Sequence, residues 1–264
     1  MKKLLLLLII PFLSFGQRHH LDDVTNPQDS IYYLKYDMSL VSGIIYCDYG
    51  DMAHCINGKI TNGLQREWYA NGQLRHEVNY KDGKKDGLAK RWYANGQLKE
   101  ELYYKNGNWK DGTGFYKFWF RNGILRKQYN LINGVHEGLY QLRHENGQLR
   151  SELYFKNGKI DGLNKDWYEN GQLQVEENYK NGKENGVSRY YYENGQLEVE
   201  ENYREGMSIG TQKSWYQNGQ LQSNYTYQNE EKIYSNCWDL DGNKMSCDDF
   251  DLYRELYWRK VRGY

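Results

Sequence analysis

The stretch Gly63-Leu-Gln-Arg-Glu-Trp-Tyr-Ala-Asn-Gly-Gln-Leu-Arg-His-Glu-Val-Asn-Tyr-Lys-Asp-Gly83 decides the fold. It holds two runs of seven or eight residues rich in Tyr, Trp and Leu, separated by Asn71-Gly72 and closed by Asp82-Gly83. Asn-Gly and Asp-Gly between such runs are the strongest short-range hairpin signals. The stretch therefore reads as strand, tight turn, strand, tight turn. It is also copied. Asn-Gly-Gln-Leu recurs at 71–74, 95–98, 146–149, 170–173, 194–197 and 218–221, with a degenerate Asn122-Gly123-Ile124-Leu125, so the turn glycines step by 24, 27, 24, 24, 24 and 24 residues. Periods of this length mean stacked supersecondary units, none of which buries its apolar face alone.

A type I′ turn at Asn71-Gly72 would make facing residues sum to 143, setting Tyr69 opposite Leu74, Trp68 opposite Arg75 and Arg66 opposite Glu77. The same arithmetic sets Lys90 opposite Glu101, Lys165 opposite Glu176 and Arg189 opposite Glu200. A cation thus faces a carboxylate at one step in four copies, each pair adding about 0.2–1 kcal/mol. Helix is disfavoured, because glycine pairs interrupt every candidate segment at about 1 kcal/mol each. After residue 16 the only proline is Pro27, as uninterrupted ladders require.

The chain carries 27 tyrosines and 8 tryptophans among 264 residues of polar overall hydropathy. Its apolar area therefore comes from amphipathic rings that lie along a sheet and keep one edge wet. Adjacent pairs such as Trp68-Tyr69 and Trp92-Tyr93 point to opposite faces. The expected architecture is all-β: an elongated antiparallel β-hairpin array, a single-layer or open-sided meander solenoid of about eight hairpins over 41–247. About sixteen strands at roughly 4.8 Å would extend on the order of 75 Å.

Copies of the form Trp/Tyr-Tyr-x-Asn-Gly-Gln-Leu, followed by Glu-x-x-Tyr-Lys-Asn-Gly-Lys-x-Asp-Gly, resemble the MORN-repeat variant family over about residues 57–245. Its bacterial members are often grouped as antitoxin-type repeat proteins. The resemblance implies a hairpin array used for binding or scaffolding, and it implies no reaction and no cofactor. The toxin-neutralising label of some relatives fits an exported chain poorly and is not carried over.

Export is expected from Met1-Lys2-Lys3, the apolar run Leu4–Leu13 and Ser14-Phe15-Gly16, a signal peptide over 1–16. That run is too short for a stable membrane span. Losing Lys2 and Lys3 from the 35 basic residues leaves 33 against 35 acidic, a net charge of −2. Such a balance, with both signs interspersed, gives nucleic acid no footprint. Residues 17–40 form an N-terminal segment, polar until Ile31–Tyr36, which reads as an irregular first strand.

Cys47, Cys55, Cys237 and Cys247 lie outside the regular copies. Cys47 and Cys55 are symmetric about residue 51, and Cys237 and Cys247 about residue 242. In an oxidising compartment this favours one disulfide per terminal hairpin, Cys47–Cys55 and Cys237–Cys247, with a metal site as the alternative. Over 248–264 the spacing of Phe250, Tyr253, Leu256, Tyr257 and Val261 predicts a helix capping the last sheet edge or, alternatively, lying on a membrane.

Little chemistry is visible. The histidines lack metal-ligand spacing, although His19-His20 beside Asp22-Asp23 leaves a surface metal site as an alternative to a flexible terminus. Glu100-Glu101, Glu176-Glu177 and Glu200-Glu201 recur at one repeat position and read as structural, and Asp239-x-Asp241-Gly242-Asn243 occupies a hairpin-turn slot where a calcium loop would need a later Glu. The chain is expected to be no enzyme. A protein partner held along the sheet is the leading expectation. An envelope polysaccharide stacked on Trp68, Trp92, Trp167 and Trp215 is the alternative. Three residues inserted between Gly107 and Trp119 single out Trp109, Phe115 and Phe118 as the most distinctive candidate surface.

Overall fold

The structure, a computed structural model, describes residues 17–25, 32–34, 38, 40–56, 59–109, 113–228 and 230–248. The signal segment over 1–16 and all but the first residue of the helix expected over 248–264 lie outside them. The chain divides into two compact units after Lys110.

In the first unit, Gly63–Trp68, Leu74–Lys81, Lys84–Trp92 and Leu98–Tyr104 form an antiparallel meander. A terminal sheet precedes it. Gly43–Cys47 pairs with Gly50–Ile56 and, on its other edge, runs parallel to Arg18–His20, while Val24–Thr25 pairs with Tyr33–Leu34. Val24, Leu34, Val41, Ile45 and Cys55 bury together as the core of this end, with Tyr32, Met52 and Ile60 against them. His19 and His20 thus sit in a strand, where a flexible terminus was one expectation, and the irregular strand expected over Ile31–Tyr36 is the two-residue Tyr33–Leu34.

The second unit repeats the meander through Gly114–Trp119, Leu125–Ile132, Gly138–Arg143, Leu149–Lys156, Gly162–Trp167, Leu173–Lys180, Gly186–Tyr191, Leu197–Arg204, Gly210–Trp215, Leu221–Gln228 and Glu231–Trp238. Each strand pairs with its sequence neighbours, so the sheet is an open meander. One row of side chains is buried along it: Tyr116, Tyr129, Asn164, Ser188, Gln212 and Tyr225. The matching row of the first unit is Gln65, Val78, Ala89 and Leu102.

The 143 register holds from Gly63–Tyr80 to Glu67–His76 and then shifts, so that Trp68 faces Leu74. The expected pairs Tyr69–Leu74 and Trp68–Arg75 are therefore corrected. Gly72 has φ +81° while Asn71 stays on the ordinary negative side, and Tyr69 N–H donates to the Gln73 carbonyl at 2.8 Å. This is a three-residue loop with glycine in the left-handed position, not a type I′ turn. A β-bulge at Arg75 then restores the register. The type I′ turns lie at the other end of each hairpin, where Asp82 and Gly83 (φ 50° and 73°) and Asn157 and Gly158 (φ 51° and 76°) are both left-handed.

Cys237 and Cys247 are joined in a disulfide, with Tyr225, Tyr227 and Met245 packed around them. Cys47 and Cys55 are free thiols, which corrects the expected Cys47–Cys55 bridge. The turn falls at Asp48-Tyr49, earlier than symmetry about residue 51 suggests. Cys47 accordingly faces Gly50, and Cys55 faces Gly43 at the far end of the strand, beyond disulfide reach. Burial pushes the Cys55 thiol up to about 12.

Candidate functional site

The recurring residues bind one copy to the next. Tyr69, Tyr168 and Tyr192 donate their hydroxyls at 2.8 Å to the carbonyls of Trp92, Tyr191 and Trp215, each one repeat ahead. His144 replaces this tyrosine once and reaches the Trp167 carbonyl at 3.0 Å. Asn71, Asn146 and Asn170 donate to Ala94, Glu169 and Glu193 carbonyls at 3.0, 2.8 and 3.0 Å. Each also accepts from the backbone N–H two residues on, which fixes its own turn. At the opposite corner, Asp86, Glu137 and Asp161 accept from the amides of Asn106, Asn157 and Asn181. These positions recur because the stack consumes them.

On one sheet face the cross-strand charges form ladders. Arg66 meets Glu77 at 2.9 Å and Lys90 meets Glu101 at 3.4 Å in the first unit. In the second, Lys165–Glu176 (3.2 Å), Glu176–Arg189 (3.7 Å) and Arg189–Glu200 (2.9 Å) run continuously. All four expected pairs form. The neighbouring acid of each Glu-Glu pair points to the other face. There Glu100 pairs with Arg91 at 2.8 Å, and Glu177 accepts from Asn164, Tyr179 and Tyr190. Burial, and then the Glu177 carboxylate, push the Tyr179 phenol up to about 12, and burial raises Tyr190 as well. Burial raises Glu184 too, helped by Glu177 and Glu201. These carboxylates are held in place by hydroxyls, which supports a structural role. Among the described residues no group of His, Cys, Asp and Glu could hold a metal ion.

The β-bulge recurs in every regular hairpin and sets one residue outside the strand register: Arg75, Lys99, Arg126, Arg150, Gln174, Glu198 and Gln222. Bulges re-aim side chains. Here Arg75 lies over the Tyr69 ring at 5.7 Å, Lys99 over Tyr93 at 5.6 Å and Arg126 over Phe120 at 5.6 Å. Beside the bulge, between adjacent copies, is a cavity. In the first unit it measures about 390 Å³ and is lined by Arg75, Lys85, Arg91 and Lys99, with Tyr69, Trp92, His76 and a single acid, Glu67. His76 is buried, and its Nε2 has no hydrogen-bond partner. Burial, with Lys85, Arg91 and Arg75 nearby, pulls its imidazole down to about 4. Burial and then Arg91 also lower Lys85, while Glu67 opposes them.

The equivalent cavity of the second unit, about 430 Å³, has a different lining. Arg150 takes the place of Arg75, Ser151 of His76, Asp166 of Arg91 and Gln174 of Lys99, with His144 and Glu169 at its edge. The size is similar and the charge is not.

Trp68, Trp92, Trp167 and Trp215 are all half-buried, and Trp92 and Trp167 line the two cavities. Trp109 is half-buried, and residues 110–112 lie outside the described ones. Phe115 is 70 % exposed opposite Asn130, whereas Phe118 lies near the Tyr129 ring (centroids 6.1 Å) with Lys127 over it. Three residues apart in one strand, Phe115 and Phe118 point to opposite faces, so they do not share a surface. The bulge cations were missed in the sequence. Their signal was the residue after each Gly-Gln-Leu, basic in early copies and Gln or Glu in later ones.

Comparison with known families returns the MORN repeat variant, matched at residues 61–82, 85–106, 137–157, 160–181, 184–205 and 209–229. The matches skip the copy with the insertion and the degenerate Asn122-Gly123-Ile124-Leu125. No curated protein matches the chain. Among the described residues no helix is long and apolar enough to cross a membrane.

Proposed function

The chain belongs to the MORN repeat variant family, and from that premise we propose that it is an exported, non-catalytic array that holds a protein partner along its sheet. Repeats of this family commonly serve binding. The observation that carries the reading is the division of labour within each copy. Recurring Tyr, Asn, Gly and Asp are consumed in joining copies, whereas the bulge residue and its cavity vary in charge at similar size. A position that the stack does not constrain is free to recognise something.

The half-buried state of Trp68, Trp92, Trp167 and Trp215 favours packing over a sugar-stacking platform, because a partly covered ring offers a pyranose less free face. Trp109, Phe115 and Phe118 remain candidate contacts, but a partner on one face reaches only one of Phe115 and Phe118, and Phe115 is the more exposed. Export is supported by the apolar segment behind Lys2-Lys3 and by the Cys237–Cys247 disulfide, which belongs to an oxidising compartment.

The test is capture. The tagged full chain, expressed in its native cells and cross-linked in the envelope, is purified and its adducts identified by mass spectrometry. One protein enriched over an unrelated exported control supports the reading. Retention by purified envelope polysaccharide with no protein adduct would overturn it, and a processed amino terminus far from Gln17, or none, would remove the export step.

A further inference from the structure

The cavity beside Arg75 in the first unit is more basic than its fold requires. Arg75, Lys85, Arg91 and Lys99 crowd a space of about 390 Å³ with Glu67 as the acid in its wall. Arg91 is already paired with Glu100 at 2.8 Å. Arg75, Lys85 and Lys99 lie instead over the rings of Tyr69, Tyr104 and Tyr93, at 5.7, 5.4 and 5.6 Å. A cation over a ring keeps part of its charge available to an anion, since the ring offers a quadrupole and no carboxylate.

The molecule contains its own control. The equivalent cavity of the second unit is built on the same bulge with Asp166 and Gln174 where the first has Arg91 and Lys99. The corner therefore folds with Arg150 as the one Lys or Arg in its wall, and like charges held close oppose folding. His76 lies in the wall of the same cavity and is 7 % exposed.

We propose that this cavity binds carboxylate side chains of an acidic segment of the protein partner, with Arg75 and Lys99 as the two principal contacts. The proposal rests on the protein-binding reading above and names the chemistry of that partner. A segment fits better than a single small oxyanion. Arg75 and Lys99 sit two strands apart, about 10 Å, roughly the reach of three residues of extended chain. A segment can offer a separate carboxylate to each cation, and Glu67 in the wall repels a dianion more than a monoanion.

The test uses the full-length chain and an N-acetylated hexaglutamate amide as probe, with affinity measured calorimetrically at 50 and 200 mM salt. The comparison is Arg75→Gln/Lys99→Gln, which installs at two exposed positions the side chain already present at the equivalent Gln174. The wild type is expected to bind the peptide at least tenfold more tightly than the double variant at 50 mM salt, with the gap narrowing at 200 mM, while the two chains melt alike. Equal binding by both chains, or no binding to either, overturns the proposal. So does inorganic phosphate or a phosphatidylserine vesicle binding as tightly as the peptide, since either would make this a general anion site. Should the double variant still capture the wild-type partner from the envelope, the acidic-segment assignment falls and the protein-binding reading stands. Should neither chain capture a protein, the protein-binding reading itself falls.

Discussion

Lowering the pH should weaken the first unit through one residue, His76. An ordinary imidazole titrates near 6.5, while burial and then Lys85, Arg91 and Arg75 hold His76 near 4. The folded value lies below the unfolded one, so protonation favours the unfolded chain. The stabilising contribution is complete above pH 6.5 and is lost as pH falls toward 4. At 1.36 kcal/mol per pH unit the full difference is about 3 kcal/mol, of which about 2.5 kcal/mol is gone by pH 4.5. Glu67 near the ring would reduce this, and the three cations would not. The control is His76→Ser, the residue that the second unit carries at the equivalent Ser151. The cavity it leaves has a cost that does not change with pH and cancels in the comparison. Urea unfolding followed by tryptophan fluorescence at pH 7.5 and 4.5 is expected to show the wild type losing about 2.5 kcal/mol more than the variant. Equal losses in the two chains, or an NMR titration placing the His76 ring near 6.5, would refute the reasoning.

Glu176→Gln removes the carboxylate shared by Lys165 and Arg189. The pairs are partly exposed, so melting should fall by an amount equivalent to about 0.5–1 kcal/mol in low salt, and the difference should vanish in 1 M salt; an unscreened loss would mean that packing and not charge holds this row. Reducing the Cys237–Cys247 disulfide opens a ten-residue loop and should cost the last hairpin about 2–3 kcal/mol, read as hydrogen exchange confined to Leu221–Met245. Thiol mapping without reductant should find Cys47 and Cys55 free, with Cys55 slow to alkylate because it is buried and its thiol is held near 12; a Cys47–Cys55 peptide would contradict the strand register.

Much of the fold was legible because hairpin spacing couples distant residues. Arg66–Glu77 and Arg189–Glu200 follow from counting, and both form at 2.9 Å. The turn type was not legible. Asn-Gly suits a type I′ turn, but Asn71 accepts from the Gln73 amide and stays right-handed, leaving Gly72 alone at positive φ. That extra loop residue creates the bulge, and the bulge aims Arg75 and Lys99 into the cavity. No periodicity announces it, because one residue gained at the loop is returned three positions later. The parallel pairing of Arg18–His20 with Gly43–Cys47 escaped for another reason: it joins a polar segment to a strand that is distant in sequence, and nothing local encodes that contact. Cys55 followed the same error, since a turn two residues early carries it away from Cys47.

If recurring residues build the stack and the bulge cations recognise the partner, one paired measurement separates the two roles. Thermal stability and envelope capture are measured together for Tyr168→Phe/Asn170→Ala and for Arg75→Gln/Lys99→Gln. The first removes the bonds to the Tyr191 and Glu193 carbonyls and the turn bond to Gln172, at about 1 kcal/mol each, and should lose about 2–3 kcal/mol while still capturing the partner. The second should melt as the wild type does and lose capture. A second variant that captures normally, or a first variant that keeps its stability and loses the partner, would contradict the account.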